Sequence, residues 1–97
     1  MRIELHPAAR RELQLAVDWY IAEAGKPTAA RFIAEFEHLQ ALIRENPDVG
    51  APGKPGSRRF IFRHFPYTLA YRTRGDLIEI LALAHHSRQP DYWMGRA

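Results

Sequence analysis

The stretch RRFIFRHFPYTLAYRTRGDLIEILALAH, residues 58–85, decides the fold. Its side chains alternate with the period of a pleated strand. Phe60 and Phe62 point one way while Arg59, Ile61 and Arg63 point the other. After the Phe65-Pro66 break, Tyr67, Leu69 and Tyr71 oppose Thr68, Ala70 and Arg72. Arg74-Gly75-Asp76 then supplies a glycine-containing hairpin turn. Residues 77–85 are apolar on both faces except at Glu79, the pattern of a strand with neighbours on both sides. Three consecutive antiparallel strands are predicted.

Upstream the period changes. Ile3 and Leu5 alternate with Arg2, Glu4 and His6, which predicts a short strand. Pro7 is placed to open a helix. Leu13, Val17, Tyr20, Ile21 and Ala24 then recur at helical spacing, with Ala9 and Ala16 filling the stripe. Gly25 stops this helix and Pro27 restarts the chain. A second helix carries Phe32, Ile33, Phe36, Leu39, Leu42 and Ile43, and Pro47 ends it. Residues 46–57, NPDVGAPGKPGS, hold three prolines and three glycines and read as a loop. The order is strand, helix pair, three strands. This predicts an α+β fold in which a two-helix hairpin packs on one face of a mostly antiparallel sheet. The other face would display Arg59, Arg63 and Arg72.

At 97 residues the chain has room for one hydrophobic core, so a single domain over 1–97 is expected. The 46% hydrophobic and 26% charged residues suit a soluble globule. There is no cysteine, which removes disulfides and thiolate metal sites. No apolar run has membrane-spanning length, and the N-terminus lacks a signal-peptide core, so a cytoplasmic location is expected. Charge is uneven. Residues 1–57 carry seven Lys/Arg against eight acids, whereas residues 58–97 carry seven arginines against three acids. The positive field belongs to the second half and points to an anionic partner, nucleic acid or an acidic protein segment.

The candidate chemistry lies in AHHSRQPDYW, residues 84–93. His85 or His86 could move a proton near neutral pH, but on a strand the two point to opposite faces. Alternatively His85 caps the strand end and His86 is solvated. Tyr92 could act as acid, base or stacking platform, and Tyr92 with Trp93 could equally fold back as an apolar lid. Arg59, Arg63, Arg72 and Arg88 could clamp an anion or form a solvated strand face. His64, His85 and His86 lack ligand spacing, so no metal is expected.

The segment from Arg58 to Trp93 resembles the RelE/ParE superfamily of type II toxin–antitoxin toxins. The resemblance rests on Arg63 ahead of Phe65-Pro66-Tyr67, on Tyr71-Arg72, on the apolar strand ending in Ala84-His85, and on Arg88 with Pro90, Tyr92 and Trp93. LHPAARREL at the opening of the first helix and the order of elements agree with it. It implies a toxin without a cofactor, neutralised by a cognate antitoxin in a hetero-oligomer and arresting growth when free. RelE-like members cut mRNA on the ribosome; ParE-like members poison DNA gyrase and are not nucleases. The RelE-like catalytic pattern is half present. Arg59 and Tyr92 match it, but Ile61 stands at the next outward position, Thr68 follows Tyr67, and His85-His86-Ser87 precede a late Arg88. This favours the ParE-like branch. The rival is an mRNA endonuclease using Arg59, Arg63, His85, Arg88 and Tyr92. For partner binding the expected residues are Arg59, Arg63, Arg72, Arg88, Tyr92 and Trp93. A third possibility is a non-toxic binding module with an arginine-rich face.

Overall fold

A computed structural model describes residues 1–54 and 56–96. Pro55 of the expected loop and Ala97 lie outside the described residues. The elements are β1 (Arg2–Leu5), α1 (Pro7–Ala24), α2 (Lys26–Glu45), β2 (Ala51–Pro52), β3 (Arg58–Ile61), β4 (Tyr67–Arg74) and β5 (Leu77–His85). They form an α+β fold with one sheet in the order β1-β5-β4-β3-β2. β3, β4 and β5 are the antiparallel meander expected from the sequence, while β1 lies parallel to β5. β5 is therefore flanked on both sides, as its two-faced apolarity requires.

Local chemistry explains the boundaries. His6 accepts the Ala8 N–H on Nδ1 at 3.0 Å, and Pro7 occupies the first helical position. Gly25, with φ of 94°, separates the two helices in a backbone region other residues avoid. Gly75, with φ of 60°, fills the first position of the two-residue turn between Arg74 and Leu77.

The main core lies between the helices and one face of the sheet. Ala9, Ala16 and Tyr20 of α1 and Phe32, Phe36 and Ile43 of α2 meet Leu69, Tyr71, Ile78 and Ile80. Ile21 and Ile33, read as core residues from their spacing, are exposed at the margins of the two helical stripes. A second cluster sits on the opposite sheet face, where Trp93 covers Ala70, Leu81 and Ala82. A bulge in β5 brings Leu81 into it. Ala70 pairs with Ala82 but Tyr71 pairs with Ile80, so Leu81 is the extra residue and joins Ala82 on the outer side.

Two expectations need correction. β3 stops at Ile61, so Arg63 is not on a strand face. Glu35 of α2 accepts the backbone N–H groups of both Arg63 and His64, in the connection between β3 and β4. The loop 46–57 is not structureless either, since Ala51 and Pro52 pair with Arg59 and Arg58. It is pinned from within by Tyr71, whose buried hydroxyl donates to Pro47 O at 2.8 Å and accepts from Gly50 N at 2.9 Å.

Candidate functional site

The C-terminal turns after β5 bring the chemistry-bearing residues together. Arg59 of β3, Thr68 of β4, His85 at the end of β5, and His86, Arg88 and Tyr92 surround a hollow of about 190 Å³ on the outer face. Six of the residues singled out from sequence, Arg59, His85, His86, Arg88, Tyr92 and Trp93, thus share one site. Arg63 lies in a separate groove of about 1120 Å³ between α2 and β3, beside Arg31, Glu35 and the exposed Ile61. Arg72 does project from the outer face, but it is spent. Its Nε donates to Glu79 Oε1 at 2.7 Å across the strands, and both side chains are mostly buried. Arg59, Arg63 and Arg72 are therefore not one continuous cationic face.

Each remaining group has a defined state. The Ser87 backbone N–H lies 3.0 Å from His85 Nδ1, and the Ser87 hydroxyl lies 2.8 Å from the same nitrogen. A backbone N–H can only donate, so Nδ1 accepts and the neutral ring keeps its proton on Nε2. The ring also packs edge-on against Tyr67 at 5.0 Å. His86 stands within 3.0 Å of the Thr68 hydroxyl through Nε2, and its backbone N–H donates to Pro66 O. His85 thus caps the strand end, and His86 is exposed but tethered.

Tyr92 is held more tightly. Its hydroxyl donates to Glu12 Oε2, and the Arg88 guanidinium lies 3.8 Å above its ring. Burial, then the bond to Glu12 and that residue's charge, push the Tyr92 phenol up to about 12. It stays protonated at neutral pH and cannot serve there as a base. Arg96 forks onto Glu12 with contacts of 2.9 and 3.0 Å. Burial opposes the Glu12 charge, but the bonds from Arg96, Tyr92 and the Leu83 N–H outweigh it and hold the carboxyl below its ordinary range.

The clasp also finishes the sheet. β1 ends opposite Ile80, so the rest of β5 has no strand on that side among the described residues. Glu12 accepts the Leu83 N–H at 3.1 Å, and Arg96 donates to Leu81 O at 2.8 Å. Side chains thereby satisfy the backbone where the neighbouring strand stops.

Sequence reasoning missed Glu12 and Glu35. Both carry a signal that could have found them. Glu12 falls between Ala9 and Ala16, and Glu35 between Phe32 and Leu39, at the three- and four-residue spacings of the buried stripes. A carboxylate on a core-facing stripe needs polar partners.

What remains is a surface rich in donors, with one carboxylate, Asp91, among its lining residues. Among the described residues, neither Arg59 nor Arg88 forms an ion pair, and no group of three His, Cys, Asp or Glu could hold a metal. No described helix is long and apolar enough to cross a membrane. Arg59, Arg88 and the His85 Nε2–H can receive an anion. Of the candidate bases in the hollow, His85 Nδ1 is engaged by Ser87 and Tyr92 is protonated.

Comparison with known proteins agrees with this architecture. The model of the ParE toxin of type II toxin–antitoxin systems, parDE, matches residues 3–90. The chain belongs to the ParE toxin family. A solved structure described as a chromosomal ParDE TA system from P. aeruginosa shares the fold, with a TM-score of 0.78 at 20% identity over 88% of this chain and 95% of that one. No curated protein matches the sequence. The ParE match takes in Arg59, His85 and Arg88 and stops at residue 90, so the Tyr92–Arg96 half of the clasp lies past it.

Proposed function

We propose that this ParE-family toxin, as one cytoplasmic domain over 1–97, arrests growth by inhibiting DNA gyrase without cutting nucleic acid. A cognate antitoxin neutralises it in a hetero-oligomer by laying carboxylates on Arg59 and Arg88. The observation that carries this reading is two arginines without ion pairs among the described residues, set beside two candidate proton acceptors that are already engaged. His85 Nδ1 is occupied by Ser87, and Tyr92 keeps its proton to bind Glu12. Such a site holds an anionic side chain well, and neither His85 Nδ1 nor Tyr92 is left to activate a ribose hydroxyl. Arg63, in its own groove beside Ile61, gives the antitoxin a second anchorage. Arg72, Tyr92 and Trp93 support the surface from beneath, since each is already engaged within the fold.

An endonuclease reading retains one supporting fact, that Arg59, His85, Arg88 and Tyr92 line a single hollow. The two readings separate in one experiment. The chain is induced without antitoxin, and plasmid topology and mRNA ends are followed as growth stops. Loss of supercoiling with trapped DNA breaks and intact mRNA is expected. New mRNA ends with normal supercoiling would replace the gyrase reading by the nuclease one. Undisturbed growth with soluble protein would leave only a non-toxic binding module.

A further inference from the structure

Leu15 and Trp19 stand one turn apart on α1 and are its most exposed large apolar side chains, at 69% and 58%. An exposed tryptophan beside an exposed leucine loses hydrophobic free energy for as long as nothing covers the pair. They border a trough of about 370 Å³ between α1 and the end of β5, floored by Ala16, Tyr20, Tyr67 and Leu83. Its wall is a run of rings. Trp19 meets Tyr20 edge-on at 5.2 Å, Tyr20 lies 6.4 Å from Tyr67, and Tyr67 meets His85 at 5.0 Å.

The polar rim is one-sided. Glu12 is the one carboxylate lining the trough, and both its oxygens are taken by Leu83, Tyr92 and Arg96. His85 presents Nε2–H, because Ser87 occupies Nδ1. Arg88 has no ion pair among the described residues. A ligand of this trough must bring an apolar group for the rings and an acceptor, best an anion, for the rim. Leu15 decides the class. An aliphatic side chain offers no face to a nucleobase but packs well against another protein's side chain.

We infer that the α1 ridge is where the toxin grips its target: an apolar side chain of the target protein seats between Leu15 and Trp19, and an adjacent carboxylate of that protein lands on Arg88. The inference rests on the reading that the free chain acts on a protein target. It also accounts for neutralisation. Arg88 and His85 line both this trough and the hollow with Arg59. An acidic antitoxin segment laid across Arg59 and Arg88 removes the donor that the target needs.

The test uses the full chain with Leu15→Glu and Trp19→Ala. Trp19→Phe is added, because it keeps a ring against Tyr20 and separates lost contact from lost folding. Melting temperature, growth arrest on induction, and inhibition of supercoiling by purified gyrase are read for each. Leu15→Glu and Trp19→Ala should melt as the wild type does and need more than about tenfold more protein for half-inhibition, the size of a hot-spot truncation. Trp19→Phe should fall between. Variants that match the wild type in potency overturn the inference. Wild type that spares gyrase but stops growth removes the gyrase reading alone, and the ridge is then judged by growth arrest of the variants. Saturable binding of single-stranded oligodeoxythymidine that Trp19→Ala abolishes would assign the trough to nucleic acid and overturn the inference.

Discussion

Tyr92 donates its hydroxyl to the carboxylate of Glu12, a residue eighty positions earlier in the chain. The bond ties the last turns of the protein to its first helix, with Arg96 forked onto the same carboxylate. Trp93 follows Tyr92 directly, so the clasp decides whether that indole stays over Ala70, Leu81 and Ala82. Glu12→Gln keeps the shape and removes the charge. Arg96 then loses its counter-ion in a mostly buried setting, at a cost of about 2–3 kcal/mol. Urea unfolding should show this loss. A Trp93 emission shifted to the red at low urea would mark local release of the C-terminal turns before global unfolding, and an unchanged midpoint would count against the clasp.

The same carboxylate gives stability a defined pH dependence. Its folded pKa lies below the ordinary 4.5. The folded state therefore binds fewer protons than the unfolded chain in this window, and stability rises with pH there. The Glu12 contribution is fully present above pH 4.5 and is lost as pH falls through the folded value. Acid titration of the melting temperature should show a fall beginning below pH 4.5 that is smaller in Glu12→Gln. Identical acid limbs in the two proteins would assign the fall to other carboxylates.

Gly50 of the 46–57 loop and Tyr71 of β4 are matched to each other. A methyl group on Gly50 would lie 2.7 Å from the Tyr71 hydroxyl and 3.0 Å from Arg59 O. Gly50→Ala should therefore cost about 1–3 kcal/mol through overpacking. Tyr71→Phe leaves the Gly50 N–H and Pro47 C=O without their buried partner, at a similar cost of about 1–3 kcal/mol. The double variant should cost somewhat less than the two single changes added together, because the hydroxyl contact is gone while the contacts with the ring carbon Cε1 at 2.8 Å and with Arg59 O remain. Strict additivity in urea melts would contradict this geometry.

Much of the fold was legible in residues 58–85 because alternation is a local property of the chain. Leu69 and Tyr71 turn inward and Arg72 outward as their period demands. The bulge at Leu81 was not legible. It changes which face Leu81 and Ala82 share without altering the apolar pattern that announces the strand. The early end of β3 was hidden for another reason. Past it, Glu35, 28 residues before Arg63, accepts the Arg63 N–H, and no local pattern at Arg63 reports this. At the candidate site, the grouping of Arg59, His85, Arg88 and Tyr92 came with the family resemblance and not with any local pattern, and they do line one hollow. The state of those groups was not legible, because Glu12 and Ser87 set it through contacts made only after folding.

Phe36 tests the helix–sheet packing. It is nearly inaccessible within the main core, on the face of α2 that also carries Phe32 and Leu39. Phe36→Ala should cost about 3–5 kcal/mol. A two-state urea melt with a midpoint close to that of the wild type would mean that the side chain is not enclosed.

Arg59→Ala combined with Arg88→Ala separates function from fold. Neither side chain has a carboxylate partner among the described residues, and exposed charges contribute less than about 1 kcal/mol. Arg88 does rest on the Tyr92 ring, so a small loss of stability is expected from that contact alone. The double variant should fold and melt nearly as the wild type does, yet be tolerated by cells at induction levels that stop growth with the wild type. Its affinity for an acidic antitoxin segment should fall as well, and salt should weaken that binding less than it weakens binding by the wild type, since two cations are missing. Full toxicity with an unchanged salt dependence would move both the target and the antitoxin away from this hollow.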